Sequence, residues 1–86
     1  MEFKIRTLNT KEASRLSNLL KQIPCTAEIR TVARNGEWRM DAKSILGLLA
    51  ISEASKDGTM IFMADEFEND YDMKKISMEL AGYIIE

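Results

Sequence analysis

Few side chains in this chain can do chemistry. It has no histidine. That removes Ser-His and Cys-His nucleophilic catalysis, and with them the commonest zinc ligand. Cys25 is the single cysteine, so no internal disulfide can form. Without a base beside it, Cys25 reads as a small, half-buried side chain at a helix end. Residues 65–72 hold five acids, Asp65, Glu66, Glu68, Asp70 and Asp72. Their oxygens suit a hard cation, but the spacing and glycine of an EF-hand are missing. The stretch reads instead as a solvated loop with acids near a helix N-terminus. No nucleophile–base pair is visible, so no enzyme, metal or cofactor is expected.

The remaining candidate is Ser44, which precedes Ile45-Leu46-Gly47-Leu48-Leu49-Ala50-Ile51. Its hydroxyl suits an N-cap, accepting from an orphan amide of the first turn. The helix behind it is too apolar for one buried stripe. On a wheel, Ile45, Leu46, Leu48, Leu49 and Ile51 spread over about 220°, whereas a stripe needs little more than about 100°. Some of these side chains must face outward, or the helix is covered on two sides. An apolar patch around a phosphorylatable serine is a docking surface in outline.

The elements that hold this segment can be read from periodicity. Phe3, Ile5 and Thr7 alternate with Glu2, Lys4 and Arg6, which predicts a strand over 2–7. A turn at Asn9-Thr10 follows. Leu16, Leu19, Leu20 and Ile23 mark an amphipathic helix from Lys11 to Ile23, stopped by Pro24. A strand over 27–34 turns at Asn35-Gly36, a pair suited to type I′, and returns over 37–40 with Trp38 and Met40 on one side. The Ser44 helix runs to Ala54, and Lys56-Asp57-Gly58 turns the chain into a strand over 59–64. That strand is apolar on both faces and so belongs inside the sheet. A last helix over 70–85 carries Met73, Ile76, Leu80, Tyr83 and Ile84 as its stripe.

The chain is one domain of 86 residues with net charge −2. A chain this short buries only about 60% of its unfolded surface, so its core is modest. There is no basic cluster, which argues against nucleic acid. No apolar run is long enough for a membrane span, and 1–4 lack the apolar core of a signal peptide, so a cytoplasmic protein is expected. The order βαββαβα predicts an α+β fold, with four antiparallel strands and three helices on one face.

That order, together with Lys43-Ser44-Ile45-Leu46-Gly47-Leu48-Leu49, resembles HPr, the histidine-containing phosphocarrier family of the bacterial sugar phosphotransferase system. The family carries Lys-Ser-Ile-Met-Gly at the start of its second helix. The resemblance extends to the Asn-Gly hairpin before the motif and to strand 58–64 after it. It implies an open-faced β-sandwich over the whole chain. It also implies a loop, Gly-Leu-His-Ala-Arg-Pro-Ala, that opens the first helix and whose histidine relays a phosphoryl group.

Counted back without a gap from Ser44, Ala13 takes the histidine position. Ser14, Arg15 and Leu16 fall on Ala, Arg and Pro, and only Arg15 matches. Lys11 and Glu12 stand where Gly-Leu would be. Alanine has no nucleophile, a serine ester is too stable for a relay, and Glu12 adds negative charge where a dianion would sit. Histidine phosphotransfer is therefore not expected. The resemblance leaves Arg15 with the helix N-terminus as a candidate anion site. It makes Ser44 a candidate phosphorylation site, since Gram-positive members carry a kinase-modified serine there. It makes Asn18, Gln22, Ile45, Leu46 and Leu49 a partner-docking face. A catabolite-repression paralogue in the family likewise lacks the histidine and keeps the serine. The expected function is a regulatory or adaptor protein, monomeric or weakly dimeric. Its partner would be a phosphotransferase-system component, an HPr kinase or a transcription regulator. The alternative is a structural or anion-binding module on the same scaffold.

Overall fold

Alternating strands and capped helices assemble in the expected order. The computed structural model describes residues 1–85. Its elements are β1 (Glu2–Arg6), α1 (Thr10–Lys21), β2 (Thr26–Ala33), β3 (Gly36–Asp41), α2 (Ile45–Ala54), β4 (Thr59–Asp65) and α3 (Asp70–Leu80). The strands form one antiparallel sheet in the order β1-β4-β2-β3, with β4 interior as its two apolar faces require. No helix among the described residues is long and apolar enough to cross a membrane.

The helices cover one face of the sheet. On that face Phe3, Phe62, Ile29 and Met40 stand opposite one another in a row across all four strands. Ile5 and Met60 form the next pair. Leu16 and Leu20 from α1, Leu48 and Ile51 from α2, and Ile76 and Leu80 from α3 pack onto these rows and are fully buried. Each such burial is worth roughly 1.5–3 kcal/mol. The other sheet face carries Lys4, Arg6, Glu28, Arg30, Glu37 and Arg39. Its ion pairs, such as Arg30 to Glu2 at 3.3 Å, are exposed and add little stability.

Three local expectations are corrected. Asn9 is not a turn residue but the N-cap of α1. Its side chain accepts from the Glu12 amide at 2.8 Å, and the Glu12 carboxylate accepts from the Asn9 amide at 3.1 Å. This capping box starts the helix at Thr10, and the helix ends at Lys21, short of Ile23. The β2–β3 hairpin is not type I′, because Asn35 does not have the positive φ that turn requires. Arg34 and Asn35 lie between Ala33 and Gly36, which face each other, and Gly36 takes the reversal at φ 123. This register sets Met40 opposite Ile29, inside the core row.

The third correction concerns the chain's last turn. α3 ends at Leu80, not Ile85. The segment after it turns back onto β1, with the Arg6 amide donating to Tyr83 O at 2.9 Å and the Ile85 amide donating to Lys4 O at 3.0 Å. Tyr83 is thereby buried, while Ile84 points outward. The alternation of a bridge replaces the helical stripe that the sequence implied.

Candidate functional site

The start of α2 is held from three sides. Ser44 has extended backbone angles, φ −90 and ψ 120, and its Oγ accepts from the Gly47 amide at 3.0 Å. The chain reaches Ser44 through a tight corner at Asp41. There the Lys43 amide donates to Asp41 Oδ1 at 2.8 Å, and the Ser44 amide donates to Asp41 O at 3.1 Å. Gly47 fits closely under that corner: a Cβ there would lie 3.1 Å from Asp41 O and 3.3 Å from Met40 Cβ, so its neighbours would have to give way. Two further bonds tie the corner to α1. The buried Ser17 hydroxyl donates to Lys43 O at 2.6 Å, and Lys43 Nζ donates to Ile23 O at 3.0 Å. The second bond holds the carbonyl of Ile23, just past the C-cap Gln22 of α1.

This clamp fixes how the apolar surplus of α2 is distributed. Leu48 and Ile51 are buried, and Ile45 and Leu49 are half-buried against the core. Leu46 is left 75% exposed, one and two residues from Gly47 and Ser44. On α1, Asn18 and Gln22 are exposed, on the stretch whose neighbours Ser17 and Ile23 bond to Lys43. Leu46 is thus the apolar projection beside the Ser44 cap. The first turn of α2 contains no acid and its last turn no base.

The start of α1 is built differently. Arg6 grips Glu12 with two nitrogens, Nη1 to Oε1 at 2.9 Å and Nη2 to Oε2 at 2.6 Å. The Arg6 hydrogen bond, with help from the Asn9 amide, holds the Glu12 carboxyl well below its usual range, at about 2. Arg6 also lies over the Tyr83 ring, 5.1 Å from its centroid. The Tyr83 hydroxyl donates to Glu79, and Glu79 faces Arg15 at 4.0 Å. Burial first, and then this bond to Glu79, push the Tyr83 phenol up to about 12. A shallow cleft lined by Thr7, Leu8, Asn9, Thr10, Leu49, Ser52 and Glu53 opens beside the cap. Within it the Leu8 amide donates to Ser52 Oγ at 3.0 Å.

Ala13 and Arg15 do not meet at this helix opening. Ala13 lies one turn in, its amide donating to Asn9 O at 2.9 Å, and is fully buried in the core. Arg15 stands about 9 Å along the axis from the cap, exposed and facing Glu79 on α3. The residue that opens the helix is Asn9, a position the ungapped count from Ser44 does not reach. Arg6 is thus paired with Glu12, while Arg15 faces Glu79 at the limit of ion-pair distance and stays largely exposed.

Sequence reading missed Asn9, Arg6, Ser17 and Lys43. The Asn9-x-x-Glu12 spacing was a readable signal for the first. Ser17 and Lys43 meet across 26 residues, and no local pattern announces such a pair. Cys25 is half-buried, and burial raises its thiol pKa. The acids over 65–72 serve local structure: Asp65 Oδ1 accepts from the Glu66 amide, Asn69 caps α3, and Asp70 and Asp72 lie in its first turn. Among the described residues no group of three ligating side chains converges.

No protein-family model matches the chain, and no curated protein sequence does. Solved structures do. The histidine-containing phosphocarrier protein studied in relation to the divergence of Mycoplasma from Gram-positive bacteria superposes with a TM-score of 0.66 at 16% identity, over 95% of this chain and 93% of that one. Crh, the catabolite repression protein of Bacillus subtilis, superposes with a TM-score of 0.59 at 18% identity, over 95% of this chain and 88% of that one, and is described as a swapped dimer. At such identities the likeness speaks for architecture, and the chain has the HPr fold.

Proposed function

We propose that this chain is a histidine-free protein of the HPr type that works as a regulatory adaptor. It docks a protein partner through the start of α2, with Ser44 as the residue whose phosphorylation switches that surface. The observation that carries this reading is the exposed Leu46 beside the Ser44 cap, on a corner tied to α1 by Ser17 and Lys43. An exposed apolar side chain with half-buried apolar neighbours on a fixed corner forms the kind of patch that a protein partner covers. Asn18 and Gln22 supply the polar rim, and Ile45 and Leu49 extend the apolar part. A phosphoryl group on Ser44 would meet the positive end of the α2 dipole in a turn without acids, so it alters the surface more than the fold. The chain has no imidazole for a phosphoryl relay. The partner class is a component, kinase or transcription regulator of the sugar phosphotransferase system.

The reading is tested by affinity capture from lysate of the source cells, with wild type, Leu46→Glu and Val32→Glu compared. Val32 is exposed on the opposite sheet face and serves as the control. The expected result is loss of the captured partner with Leu46→Glu and retention with Val32→Glu. A partner held equally by all three proteins contradicts the proposed face.

A further inference from the structure

The two edges of the sheet are treated differently. Along β1 the free edge is covered by the chain's own tail, through the Arg6–Tyr83 and Lys4–Ile85 backbone bonds. Among the described residues β3 has no such cover, and all its residues but Met40 are exposed. Which of its backbone groups are free follows from the register. The Ala42 amide donates to Ala27 O at 3.1 Å, so that opposed pair is of the hydrogen-bonded kind. Stepping by two along the ladder, Met40, Trp38 and Gly36 direct their backbone groups at β2. Glu37 and Arg39 direct theirs outward, where no backbone partner exists among the described residues.

We infer that the β3 edge pairs with the β3 edge of a second copy, antiparallel and centred on Trp38. Directly opposed residues of an antiparallel ladder point to the same face, so only registers centred on a residue are allowed for two identical strands in one continuous sheet. Centring on Glu37 sets two carboxylates opposite each other. Centring on Arg39 opposes two guanidiniums and sets Glu37 against Asp41. Centring on Met40 overlaps only 39–41 before the chain leaves the strand, where Asp41 already takes the Lys43 and Ser44 amides. Centring on Trp38 sets Glu37 against Arg39 of the partner copy on both sides of the axis. In that register both backbone groups of Glu37 and of Arg39 find partners.

The side chains agree with that choice. Arg39 Nε already donates to Glu37 Oε1 of its own strand at 2.8 Å, so pairing exchanges one carboxylate for an identical one and strands no charge. Trp38 shares the face of its neighbour Thr31 and is 36% exposed, because β3 is the edge. On the axis the two indoles form a non-hydrogen-bonded cross-strand pair, the closer kind, which suits aromatic contact. Edges are commonly protected by charges of one sign or by inward-pointing charges. This edge alternates sign and is complementary to itself. A six-residue edge buries less than the roughly 1,200 Å² of a standard interface, so the dimer is weak and reversible.

Sedimentation equilibrium of the full chain, up to a concentration on the order of 1 mM, reads the association directly. Trp38 is the chain's single tryptophan, so its emission reports whether this edge is the one involved. The wild type is expected to approach twice the monomer mass, with a blue shift of emission over the same concentrations. Glu37→Arg and Arg39→Glu alone should each weaken association about tenfold by opposing like charges, and the double variant should restore it. Circular dichroism confirms that each variant is folded. A wild type that stays monomeric overturns the inference. So does a dimer whose Trp38 emission is constant, or a double variant as weak as the singles.

Discussion

The starts of α1 and α2 use the same device and end in opposite states. Each is capped by a short polar side chain that accepts from the amide three residues on, Asn9 in one case and Ser44 in the other. At α1 the chain then supplies an anion of its own. Glu12 closes the capping box, and Arg6 neutralises it. At α2 nothing follows the cap but Ile45, Leu46 and Gly47, with no acid in the first turn. α3 sides with α1, since Asn69 caps it and Asp70 and Asp72 follow. Of the three helix starts, only that of α2 has no acid in its first turn, although the Asp41 carboxylate accepts from the Lys43 amide just before the cap. The lesson is that one fold can close a helix mouth with internal charge and leave another with no acid in its first turn.

The largest effect should come from unseating α2. In Gly47→Val the new side chain meets Asp41 O and Met40 Cβ, and the corner must open. We expect a loss of about 2 kcal/mol in urea unfolding, within the usual range for overpacking. Unchanged stability would mean that the corner is not a rigid seat.

The caps come next. Ser44→Ala should cost about 1 kcal/mol, and Asn9→Ala closer to about 2 kcal/mol. Asn9 is the more costly, because losing it also loosens Glu12 from the helix it pairs with. Equal losses would erase the contrast between the two helix starts. A charge test isolates the α1 mouth. The folded Glu12 carboxyl sits at about 2, against 4.5 for the ordinary group. Its contribution is therefore present above about pH 4.5 and drains away as pH falls toward 2. The pair lies near the surface, so screening reduces it to about 1 kcal/mol or less. Acid titration of stability should show this limb in wild type, and Glu12→Gln should flatten it. Persistence of the limb in Glu12→Gln would assign it to other carboxyls.

The same contrast explains what was legible in the sequence. Strand periodicity, the Ser44 cap and the interior place of β4 were readable because each is set by residues close in sequence. The Asn9 cap was equally local, through Asn9-x-x-Glu12, but counting back from Ser44 drew attention to Ala13 instead. That count fixes sequence distance, while the helix begins where its capping box is. The end of α3 was misplaced because Tyr83 and Ile84 continue a helical stripe on paper. In the structure, pairing of the tail with β1 buries Tyr83 and exposes Ile84. The Ser17–Lys43 tie and the Arg6–Tyr83–Glu79–Arg15 chain join distant segments, so only the fold reveals them.

The contrast can be measured in one pair of phosphorylation reactions read by intact-mass and peptide mass spectrometry. One contains HPr kinase and ATP, and the other contains phosphoenolpyruvate and the first enzyme of the phosphotransferase system. The prediction is a single phosphate from the kinase, absent in Ser44→Ala, and no phosphate from phosphoenolpyruvate. Phosphate from phosphoenolpyruvate, or a kinase-treated protein unmodified at Ser44, would contradict the assignment of the start of α2 as the switch.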